Sequence, residues 1–165
     1  MDAPATRHFL DTAREAWAEW EALLARVAPA RLDEPGVAGD WSVKDIVAHV
    51  AWYEREMVGL ARQRSLAGAS PLWEIETDRR NTLLRDEQRG RAPDAVLAEA
   101  REIHAQAVAA LATLADEDLA DPGRFAGMPA DWVPWRVIAG NTHEHYRAHA
   151  PALRAWLDRA GGARE

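Results

Sequence analysis

Four long stretches of this chain carry apolar residues at every third or fourth position, and no stretch of useful length alternates them at every second. A 3.6-residue period lines such residues along one side of an α-helix, so the chain has four helical stripes to bury against one another. The first is Leu10, Ala13, Trp17, Trp20, Leu24 and Val27, in a helix expected from about residue 5 to 28. Pro29 and then Pro35-Gly36 stop it, in a loop over 29–40 rich in Pro, Gly and Asp. The second starts at Ser42, whose spacing to Asp45 resembles a capping box. Its stripe is Val43, Ile46, Val47, Val50, Tyr53, Met57 and Leu60, fading over 65–71. The third opens at Pro93-Asp94, with Pro suited to a first turn, and carries Val96, Leu97, Ala100, Ile103, Ala107, Leu111 and Leu114. The fourth opens near Pro134 and carries Ile138, Asn141/Thr142, His145, His149, Ala152/Leu153 and Trp156. Pro151 is expected to kink it, because it removes a hydrogen bond and crowds residue 147. The fold class is therefore all-α: a four-helix bundle with long connections, a short extra helix near 73–89, and one domain across 1–165.

Composition narrows the chemistry. The chain has no Cys, which excludes disulfides, thiolate metal sites and cysteine nucleophiles. Imidazoles and carboxylates remain as strong ligands, a set that suits Zn, Ni, Fe or Mn. A formal net charge of -7 argues against general nucleic-acid binding, which draws on cationic contacts to phosphates. The N-terminus lacks the basic and apolar regions of a signal peptide, and no apolar run approaches the roughly 20 residues of a membrane span. A cytoplasmic protein without membrane association is expected. Most of the eight Trp are expected to be packing residues.

The fourth stripe holds the chemistry. His145 and His149 stand one turn apart on the same side as Ile138 and Trp156, so both point inward. A buried imidazole needs a partner, and one metal ion serves two at once. Carboxylates, carbonyls freed by Pro151 or partial exposure would serve without a metal. His49, on the inner side of the second stripe with Ile46 and Tyr53, supplies a third inward imidazole. His49, His145 and His149 are the metal-ligand candidates, with open positions for water and substrate. Tyr53 and Asn141, each one turn from a ligand, are candidates for the pocket rim or for a contact behind the ligands. His143 faces another way, as a surface residue or a supporting one; His104 is a core residue or a fourth ligand; His8, Glu54 and Glu144 are expected in solvent. The arginines at 79, 80, 85, 89 and 91 form either an anion-holding patch or a solvated face balanced by Asp78, Asp86 and Glu87.

Trp-Ser-Val-Lys-Asp-Ile-Val-Ala-His over 41–49 and His-Tyr-Arg-Ala-His over 145–149 resemble the DinB-like (DinB/YfiT) superfamily of four-helix bundles. The first helix, the 29–40 loop and the Asn-Thr-His-Glu-His-Tyr run over 141–146 look most like its ClbS/DfsB-type branch. The resemblance implies a divalent ion, Zn or Ni, on His49, His145 and His149. It also implies a homodimer, and an enzyme acting on a small electrophile, as a hydrolase or as an S-transferase using a low-molecular-weight thiol such as bacillithiol or mycothiol. Without Cys, such a transferase draws its thiol from a small molecule. The alternative is a non-catalytic protein that binds or sequesters a small molecule without metal.

Overall fold

The apolar stripes set the architecture of the computed structural model, which describes residues 3–161. Helix α1 (Thr6–Leu24) buries Phe9, Leu10, Ala13, Ala16, Trp20, Leu23 and Leu24, and its first amide is accepted by Asp116 Oδ1 at 2.7 Å. The chain then turns through a short 3-10 segment (Pro29–Arg31). Two short strands follow where none was expected: β1 (Pro35–Ala38) pairs antiparallel with β2 (Trp41–Ser42). Gly39, at φ +61, turns the corner between them in the left-handed region that a side chain disfavours. The pairing was illegible because strands this short cannot establish a period.

Ser42 closes the hairpin and opens α2 (Val43–Gln63). Its Oγ accepts from the Asp45 amide at 3.2 Å, and Asp45 Oδ2 accepts from the Ser42 amide at 2.9 Å. A 3-10 turn (Pro71–Glu74) leads to α3 (Thr77–Gln88), the expected extra helix, and then α4 (Pro93–Leu111) opens on its Pro. The short α5 (Asp116–Ala120) and a 3-10 turn (Pro122–Arg124) precede α6 (Pro134–Gly140) and α7 (His143–Gly161). Helix α2 packs along α4, α1 along α7, and α2 meets α7 across the middle. One core gathers around Trp20, Ile46, Val47, Leu153 and Trp156; a second lies around Phe9, Met57, Leu111, Phe125 and Ile138.

The fourth stripe is split at Asn141 and Thr142, and the helix runs on through Pro151. Asn141 Nδ2 donates to the Val137 carbonyl and Thr142 Oγ1 to the Ile138 carbonyl, both at 2.7 Å. Side chains thus occupy carbonyls that the next helical amides would take, and the chain restarts from Thr142, whose carbonyl accepts from the amides of His145 and Tyr146. Pro151 and Arg147 are both exposed, so a carbonyl deprived of its amide there faces water. Among the described residues no helix is long and apolar enough to cross a membrane.

Candidate metal centre

The capping box fixes where α2 begins and therefore its phase, which turns His49 toward α7. Thr142 does the same for α7, placing His145 and His149 on consecutive turns of the side that faces α2. The three ring centroids lie 4.8 to 5.1 Å apart, and one ligand nitrogen from each ring lies within 4.8 Å of the others. His49 Nε2 and His145 Nε2 are 3.0 Å apart. A tetrahedral zinc ion at about 2.0–2.1 Å from two imidazole nitrogens holds them ~3.3 Å apart, so this pair stands close to the spacing of a shared ion. Among the described residues no group accepts from the buried Nδ1 atoms of His49 and His145, so these rings are held by packing rather than by carboxylates or carbonyls behind them.

Electrostatics keep the three imidazoles neutral, the form that binds a metal. Burial, then the neighbouring His145 and His149 and the Arg80 charge, pushes His49 down to about 3. Burial and His149 bring His145 to about 3, and burial lowers His149. Trp41 and Tyr53 pack edge-on against His49 at 5.5 and 4.9 Å, and Tyr53 meets His145 at 5.0 Å.

The other candidates separate. The Tyr53 hydroxyl donates to Asn81 Oδ1 at 2.9 Å and accepts from Arg80 Nε at 3.0 Å. Asn141 spends its amide on Val137 rather than on a ligand, and lines a cavity of about 720 Å³ with Met57, Leu60, Trp73 and Trp132. None of the three histidines lines that cavity; Trp73 links the two regions, its ring 5.4 Å from that of Tyr53. His143, expected as a surface residue or a supporting one, is buried against the Phe9 ring at 4.9 Å, and burial and Arg147 lower it to about 4. His8 and Glu144 are exposed, as expected. Most of the arginine run is paired or exposed, Arg85 with Asp40 and Arg89 with Asp86, but Arg80 is buried.

Glu54 corrects the sequence reading most sharply. It was assigned to solvent and is 2% exposed. Its Oε1 accepts from Tyr146 Oη and lies 3.0 Å from His104 Nδ1, while Trp17 stacks on the His104 ring at 4.2 Å. His104 thus belongs to a polar cluster of α2, α4 and α7, away from the three histidines. The signal was present: Glu54 stands four residues after Val50 and three before Met57, within the α2 stripe.

Known proteins place this fold. The DinB superfamily matches the chain over residues 12–151. No curated protein matches it. Among solved structures, an uncharacterised protein from Escherichia coli UTI89 aligns with a TM-score of 0.78 at 17% identity, covering 96% of each chain. The colibactin self-resistance protein ClbS, solved in complex with a dsDNA, aligns with a TM-score of 0.75 at 16% identity, over 92% of this chain and 94% of its own. DfsB, a sibling lethal factor precursor, aligns with a TM-score of 0.79 at 15% identity, over 96% and 98%. The two named proteins are those of the branch that the helix motifs resemble. ClbS also overturns the exclusion of nucleic acid drawn from charge: net charge sums the whole surface, whereas a duplex meets one face of it. Since the family match spans most of the sequence, from Thr12 to Pro151, the chain belongs to the DinB superfamily.

Proposed function

We propose that this chain is a divalent-metal-dependent enzyme of the DinB class, with His49, His145 and His149 as the metal ligands and a small electrophile as substrate. The observation that carries this reading is the convergence of three neutral, buried or half-buried imidazoles from two helices on one point. A bound Zn or Ni ion supplies acidification of a coordinated water or thiol, or polarisation of a carbonyl. The chain's own part is to hold three ligands without charge and to shield them with Trp41 and Tyr53. With no Cys present, a transferase reaction draws its thiol from a small molecule. The test loads metal-free protein with Zn or Ni, measures stoichiometry, and assays conjugation or hydrolysis of an electrophile panel with and without bacillithiol or mycothiol. One ion per chain and turnover lost in His145→Ala are expected; turnover that survives His145→Ala and His149→Ala together refutes the assignment.

A second reading rests on the cavity of about 720 Å³ between α2, α6 and the 65–73 connection. Its Trp73, Trp132, Met57 and Leu60 walls suit a small apolar molecule held without chemistry, as a sequestering protein would hold it. Trp fluorescence distinguishes the two: a ligand in the cavity perturbs it in metal-free protein. Duplex DNA belongs in the same titration, because ClbS was crystallised with it.

A further inference from the structure

Arg80 is a buried cation in the first turn of α3, at 6% exposure. Its guanidinium donates to neutral groups only: Nε to Tyr53 Oη, Nη1 to the carbonyls of Trp73 at 3.4 Å and Ile75 at 3.3 Å, and Nη2 to Thr77 Oγ1 at 3.3 Å. Its Cζ sits 4.8 Å from the centroid of the Trp73 ring. Among the described residues no carboxylate pairs with it. Glu76 feels its charge, but that carboxylate is fully exposed and accepts from the amides of Asp78 and Arg79. A buried arginine is ordinarily paired, because desolvating its charge is costly.

The unpaired charge acts on His49 and reaches His145 through Tyr53. Tyr53 receives the Arg80 Nε–H and touches the rings of both His49 and His145. The carboxylate next to Tyr53 in sequence, Glu54, is turned to the other side of α2 and is engaged by Tyr146 and His104. Among the described residues, the group of ligand atoms within 4.8 Å of one another is made of the three imidazoles, with no carboxylate among them.

We infer that this centre selects a small monoanion, such as a carboxylate, and that Arg80 determines this specificity through its field. The inference rests on the metal reading above and adds the class of ligand. A divalent ion on three neutral ligands leaves its charge uncompensated, and Arg80 adds to it, so an anion is favoured over a neutral ligand of similar size. Arg80 is a positioning and field residue, not a group that touches the ligand.

The test uses Co(II) in place of the native ion, read by its visible absorption, with azide as the anion and imidazole as the neutral probe. In Arg80→Gln, azide affinity should fall about tenfold, imidazole affinity should stay within about twofold, and Co(II) affinity should rise, since a nearby positive charge has gone. Arg80→Lys keeps the charge without the fork and should hold azide within about threefold of the parent. A role confined to holding the 3-10 turn would instead weaken Co(II), azide and imidazole together, and that result overturns the inference. If the Gln variant does not fold, a Lys variant that loses azide binding as strongly as imidazole binding overturns it equally. A Co(II) spectrum that depends on His145 while azide ignores Arg80 overturns this inference alone. No histidine-dependent spectrum at all sinks the metal reading and this inference with it.

Discussion

Tyr146 stands beside His145 in sequence and faces the opposite way, its hydroxyl given to Glu54. Burial, then the Glu54 charge, raises its pKa well above the usual phenol value, so it stays a donor. Tyr146→Phe deletes one donor to a buried carboxylate that His104 still contacts, and should cost about 1–3 kcal/mol. Urea unfolding checks this; a change under about 0.5 kcal/mol would show that the bond contributes little. The imidazoles give a second prediction. His49 and His145 titrate near 3 and His143 near 4 in the folded chain, against about 6.5 when unfolded. Above pH ~6.5 these groups are neutral in both states and the difference adds nothing. Below it the unfolded chain takes up protons that the folded chain refuses, so stability falls as pH drops. The urea midpoint of chelator-treated protein should therefore decline between pH 7 and 5, before most carboxylates titrate. A midpoint constant over that range would contradict the burial of neutral imidazoles.

The start of α2 and the break before α7 decide whether the three histidines meet. The start was legible: Ser42 and Asp45 form the reciprocal bonds that their spacing announced. Ser42→Ala should lower stability by about 1 kcal/mol in thermal unfolding, and Ser42→Thr should recover most of it. Equal melting for the Ala variant would mean that the hairpin alone anchors the helix. The break was not legible. The stripe from Ile138 to Trp156 keeps its period across Asn141 and Thr142, and such side chains also bond backward within unbroken helices. Pro151 stands inside α7, where its exposed position leaves the lost bond to water.

If the proposed centre holds an ion, metal binding and folding form one equilibrium for the whole molecule. An ion bound only to the native state, at about 100 times its Kd, adds about 2.7 kcal/mol. For a chain of this size that is a rise in Tm of roughly 5–10 °C. Calorimetry with Zn and with chelator should show the difference in the parent protein and none in His145→Ala; identical curves for metal-loaded and chelated parent protein would refute a stabilising site. What the sequence determined by itself was the set of helical stripes, their phases and the inward direction of His49, His145 and His149, because side-chain direction along a helix follows from spacing alone. The tertiary structure decided which groups those stripes meet. Glu54 lies on a stripe yet needed α4 and α7 to supply His104 and Tyr146, and Arg80 lies in a charged segment whose burial depends on Tyr53 and the Trp73 turn. A buried polar group is stable only through partners from other elements, and no local period encodes those partners.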